Sequence, residues 1–119
     1  MSRSRLFAAI LMLVSSFTHL VQLFVYPVES ILVSGLIVFF TFAYFLIGIF
    51  LLGQSRPVLW VGSVIPAIAG VLASIRLATT TVNPLVYFHL AVDVVVVLIC
   101  IGLLRRDSNL GRREPDAWR

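Results

Sequence analysis

The sequence predicts an all-α membrane protein, a four-helix up-down bundle with both termini on the cytoplasmic side (N-in/C-in). Three observations carry this expectation. The composition is too apolar for a soluble domain, four apolar runs of bilayer length are set apart by short breaks, and the arginines gather at one end of those runs. Of the 119 residues, 61% are hydrophobic and 12% charged, whereas soluble domains carry about a quarter charged residues. A soluble domain of this size has too little interior to hide so much apolar surface. A bilayer solvates the surplus, and the length leaves room for one domain.

The first run covers residues 6–26. Arg3 and Arg5 precede it as they would precede a signal peptide. However, the run is long enough to span, and no small-residue cleavage site follows a short apolar core, so it reads as a retained helix. The second run is 31–53, the third 58–82 and the fourth 85–104. Each meets or closely approaches the ~20 residues needed to cross ~30 Å of hydrocarbon. Between the first two stand Pro27, Val28, Glu29 and Ser30, with Ser30 placed to cap the second helix. Gly53 suits the end of helix two and Pro57 the first turn of helix three. Asn83-Pro84 is a cap followed by proline at the first helical position. Connections this short make neighbouring helices antiparallel. Residues 105–119 are polar, carry charge of both signs and read as a disordered cytoplasmic tail whose arginines meet anionic lipid.

Orientation follows from the arginines, since lysine is absent. Arg3, Arg5, Arg56, Arg105, Arg106, Arg112, Arg113 and Arg119 fall on one side, and the opposite breaks carry none. The positive-inside rule makes that side cytoplasmic and the chain a multi-pass protein of the cell membrane. Tyr26 and Tyr87 near the outer boundary and Trp60 near the inner one fit an aromatic belt. The net charge of +4 comes from residues flanking the spans rather than from a basic stripe, which points away from nucleic acid. Cys100 is the single cysteine. It excludes an internal disulfide and dithiol chemistry, and it reads as a small packing residue.

Five strongly polar side chains lie inside the spans: His19, Gln22, Arg76, His89 and Asp93. Counted from the outer helix ends at 1.5 Å per residue, His19 lies roughly 10 Å deep, Arg76 roughly 9 Å, His89 roughly 6 Å and Asp93 roughly 12 Å. The four ionisable groups share a slab roughly 6 Å thick in the outer half. Steps of three, four and seven residues gather Ser15, His19 and Gln22 on one face of helix one. The same spacing gathers Ser34, Thr41, Tyr44 and Gly48 on helix two, Ala69, Ala73, Arg76 and Thr80 on helix three, and His89, Asp93 and Cys100 on helix four. Lipid rejects such stripes, so they are expected to face inward and meet. Gly62, Pro66, Gly70 and Ser74 form a second, close-packing face on helix three, and Pro66 frees a carbonyl and bends that helix.

Asp93 is the most informative residue. A carboxylate near mid-membrane costs roughly 2.5–3.5 kcal/mol on insertion scales unless it is protonated, paired or wetted. Arg76 is the partner expected from depth, either as a structural lock between helices three and four or as part of a proton or cation site with His89. Arg76 on its own has a stem long enough to reach the interface. His19 and His89, at similar depth on different helices, raise the alternative of a b-type haem with Arg76 on a propionate. The bland alternative bonds each histidine to Ser15, Gln22 or Asp93. Glu29, in the outer break, is either solvated or attracts cations to a cavity mouth.

These residues leave three functions open. The first is an outward-facing intramembrane pocket, formed by His19, Gln22, Arg76, His89 and Asp93. It would bind a small ligand, an ion or a lipid headgroup, or dock as an accessory subunit of a larger membrane complex. The second is a proton- or ion-coupled carrier or channel, oligomeric because four helices enclose little volume. The third is an electron-transfer anchor for haem b or a quinone. The partners expected are the bilayer and either further copies of the chain or the subunits of a larger complex. The sequence points away from an enzyme, because no nucleophile–base motif and no metal triad occurs.

Overall fold

The computed structural model describes residues 2–26, 30–53, 55–79 and 83–117, with side chains to residue 109 in the last stretch. The described residues form four helices and no strand: α1 (Arg3–Val25), α2 (Ile31–Leu52), α3 (Pro57–Thr79) and α4 (Pro84–Ala117). All four are long and apolar enough to cross a membrane.

Local chemistry explains where they start. Ser2 caps α1 by accepting from the Arg5 backbone N–H at 3.1 Å. Ser30 caps α2 by accepting from Val33 N–H at 3.2 Å. Both satisfy a donor that the first helical turn would otherwise leave bare. Prolines 57 and 84 open α3 and α4, where a missing N–H costs nothing. The Asn83 side chain accepts from Leu85 N–H at 3.0 Å. Gly53 closes α2 with φ −80° and ψ −178°. That is extended backbone, so the left-handed cap that favours glycine is not formed there.

Two features differ from expectation. The first three helices begin and end within a few residues of the expected bounds, but α4 runs on through Ala117, across most of the stretch that reads as a disordered tail. The physical reason is propagation: a helix already nucleated by its apolar span adds good helix formers such as Leu103, Leu104, Arg105 and Arg106 at little cost. The molecule is accordingly a rod, 62 × 25 × 21 Å. Second, Arg5 is not a flanking charge in solvent. It is 8% exposed, and its guanidinium donates to Leu51 O at 2.8 Å and Ser55 O at 2.7 Å. It thereby satisfies the Leu51 carbonyl that the end of α2 leaves without a helical partner, and the Ser55 carbonyl in the break that follows.

The helices pack as a ring. α1 lies on α2, α3 on α4, α1 on α4, and α2 more loosely on α3. The core runs along the axis through Ala9, Met12, Tyr44, Leu51, Leu59, Val96 and Cys100. Two glycines set the closest approaches. A Cβ on Gly48 would stand 2.8 Å from the Leu13 side chain, and one on Gly62 would stand 2.8 Å from Cys100 Sγ. Outward, the surface is apolar: Phe17, Phe24, Ile31, Phe42, Val71 and Leu98 are among many large exposed hydrophobic residues. A water-exposed domain rarely shows a continuous patch of this kind, whereas lipid accepts it.

Candidate functional site

The polar face of α1 turns inward. Ser15, Ser16, His19 and Gln22 are all buried, which the steps of three and four on a 3.6-residue helix require. The His19 Nδ1–H donates to the Ser15 carbonyl at 2.8 Å, so its Nε2 carries the lone pair. Ser16 donates its hydroxyl to Thr41 O on α2 at 2.7 Å.

His89 comes from the same inward face of α4 as Val86, Asp93, Val96 and Cys100. Its ring stacks on that of His19, with centroids 3.7 Å apart and planes 11° from parallel. The Thr18 hydroxyl donates to Ser15 O at 3.0 Å. Its oxygen therefore accepts from His89 Nε2–H at 2.8 Å, leaving the lone pair on Nδ1. The rings of Tyr44 and His19 meet in a T-shaped pair, with centroids 5.2 Å apart and planes at 73°. Phe40 lies 5.9 Å from Tyr44. The two imidazoles are thus clamped between Thr18, the Ser15 carbonyl and an aromatic wall from α2.

Asp93 is 3% exposed. Its Oδ1 accepts a hydrogen bond from the Tyr44 hydroxyl on α2. The sequence puts Tyr44 on the inward stripe but does not make it the carboxylate's partner. Arg76, half-buried on α3, shares a cavity with Asp93.

That cavity is about 70 Å³ and draws on all four helices. His19, Gln22, Arg76, His89 and Asp93 all line it, with Phe40 and Ala73 among its apolar neighbours. Gln22 near the end of α1, Val33 near the start of α2, Arg76 near the end of α3 and Val86 near the start of α4 all border it. The structure therefore brings the sequence's polar residues around one small space. Thr18 and Tyr44, which bond His89 and Asp93 without lining the space, are the partners that sequence reasoning missed. Thr18 is off the stripe, one residue from His19. Tyr44 left a usable signal: a hydroxyl in the middle of a phenylalanine-rich span needs a buried acceptor. Thr80, expected on the α3 stripe, and Glu29 lie outside the described residues.

The space suits small occupants. With roughly 10–15 Å³ of such free space enough for one water, it holds several waters or a small polar solute. Haem does not fit between the two histidines as they stand. Axial imidazoles stand on opposite faces of the macrocycle with iron between their nitrogens, whereas these two rings lie face to face at 3.7 Å with no slot between them. Among the described residues no three His, Cys, Asp or Glu side chains converge where a metal ion would sit. No protein-family model, no curated protein and no solved structure matches this chain.

Proposed function

We propose that the chain is a multi-pass protein of the cell membrane, folded up-down with both termini cytoplasmic. In this reading its outer-half cavity binds an inorganic ion or a similarly small polar solute, alone or as a subunit of a larger membrane complex. Cross-helix pairs support the up-down order. Arg5 meets Leu51 and Ser55 while Ser16 meets Thr41. On the other side Gly62 faces Cys100 and Gly70 faces Asp93. The arginines flanking the spans support the orientation.

The single observation that carries the binding reading is the cavity lined by His19, Gln22, Arg76, His89 and Asp93 together. Intramembrane ionisable groups are expensive, and their gathering around a space rather than in a sealed contact marks a binding or transport site. The test uses purified protein in detergent, melted with sodium and potassium salts of chloride, nitrate and formate. At least one ion should raise the melting temperature of the wild type. The Arg76→Leu/Asp93→Asn double variant should fold but lose that response. No ion-specific shift, or an equal shift in the double variant, would sink the reading.

A second reading, proton- or ion-coupled transport, is favoured by one specific arrangement. The His89–His19 stack and the adjoining Tyr44–Asp93 pair set proton-bearing groups side by side. Flux into proteoliposomes under a pH gradient tests it. Intact protein that moves none of these ions would reject it.

A further inference from the structure

A second and larger space lies on the lipid side of the bundle. α3 and α4 frame a groove of about 560 Å³, within the roughly 300–1,000 Å³ range of small-molecule sites. Gly70 and Ser74 keep the α3 wall low, and Leu90, Val94 and Leu98 form the α4 wall. The groove opens where Val71 and Val94 are themselves exposed, so an occupant reaches it from the hydrocarbon.

Its floor is the unusual part. Asp93 lines this groove as well as the inner cavity. Its two oxygens have different surroundings. Oδ1 is held from inside by Tyr44. Oδ2 stands 3.9 Å from the point a Cβ on Gly70 would occupy, so the absent side chain of Gly70 leaves a way to it from the groove. Ser74, the other polar side chain of the lining, donates its hydroxyl to Gly70 O at 2.8 Å. Arg76 borders the inner cavity and not the groove. The groove therefore offers apolar walls and one nine-tenths-buried carboxylate. Complementarity calls for an apolar body carrying one positively charged donor, because a paired charge escapes the desolvation cost that an isolated one bears in hydrocarbon.

We propose that the α3–α4 groove is a lateral binding site, entered from the lipid, for membrane-dissolved cationic amines, whose ammonium pairs with Asp93 Oδ2 while the apolar body lies between Gly70 and Val94. The site does not depend on ion binding in the inner cavity.

The test measures binding of a radiolabelled phenylalkylamine to full-length protein in lipid nanodiscs, beside the alcohol of the same skeleton. Wild type should bind the amine saturably and the alcohol at least tenfold more weakly. Asp93→Asn should weaken amine binding at least tenfold. Gly70→Ala meets Asp93 Cβ and Leu90 Cδ1 at an ordinary 3.7 Å, so it should fold and melt as wild type. It should nonetheless weaken the amine several-fold by covering Oδ2. Val94→Trp, at a lipid-exposed position, should do the same by filling the groove. Phe17→Trp on the lipid face of α1 is the control and should change nothing. Non-saturable binding, equal affinity for amine and alcohol, or an unchanged Asp93→Asn would overturn the proposal. So would binding lost in Asp93→Asn but untouched by both Gly70→Ala and Val94→Trp, which would place the amine in the inner cavity.

Discussion

A buried carboxylate needs a donor, and the donor here is a phenol. Tyr44 reaches Asp93 from α2, so the hydrogen bond ties α2 to α4, two helices that face each other across the ring. Bonds of this kind inside a membrane protein contribute about 1–2 kcal/mol at most, because the unfolded chain in the bilayer also finds partners. Tyr44→Phe should therefore destabilise the fold by about 1 kcal/mol, and Asp93→Asn by a similar amount. Combined, the two should cost clearly less than their sum. Denaturant unfolding in mixed micelles measures all three, and strict additivity would mean that the pair does not interact. The identity of Asp93 as the expensive residue was legible in the sequence from composition and depth alone. Its partner was not. Depth places Arg76, His89 and Tyr44 all within a long side chain's reach, and only helix rotation decides among them.

The helices are held by different devices at their two ends. Arg5 at the start of α1 binds the Leu51 carbonyl at the end of α2 and the Ser55 carbonyl just beyond it. Replacing it by alanine should cost about 1.5–3 kcal/mol, as for hydrogen bonds to charged groups. Lysine should recover only part of this, because one ammonium does not reproduce a planar fork of donors. Nearer the middle, glycines fix the spacing. Gly62→Ala would place a Cβ 2.8 Å from Cys100 Sγ, and overpacking of this kind costs about 1–3 kcal/mol. Adding Cys100→Ala should restore most of the loss. Gly35→Ala meets nothing within 4 Å and should stabilise α2 by about 0.5–1 kcal/mol through backbone entropy. A melting series over these variants separates the close contact from helix propensity. If Gly62→Ala and Gly35→Ala moved stability in the same direction, propensity rather than packing would be setting it. The contact with Cys100 was partly foreshadowed, since the steps of four through Gly62, Pro66 and Gly70 mark a close-packing face. The role of Arg5 was hidden, because an arginine before an apolar run looks the same whether it points at water or at a neighbouring helix.

At the scale of the whole molecule, the four helices were legible because hydrocarbon thickness, prolines and caps all punctuate the chain at the same places. The polar faces converge because each helix has one such face and lipid tolerates none of them. The continuation of α4 was not legible, since a charged stretch after an apolar one has the same composition whether it is helical or coiled. Orientation is a matter of charge rather than of packing, and it yields the most direct prediction. In a Cys100→Ala background, single cysteines at Ser2, Glu29 and Ser108 report the start of the chain, the break between α1 and α2, and the extension of α4. A membrane-impermeant maleimide should label Glu29→Cys in intact cells and leave Ser2→Cys and Ser108→Cys unlabelled until the membrane is permeabilised. Reversed labelling would place the arginine-rich end outside, and the polar cavity would then open toward the cytoplasm. Labelling of Ser2→Cys and Ser108→Cys from opposite sides would rule out the even number of crossings on which the up-down order depends.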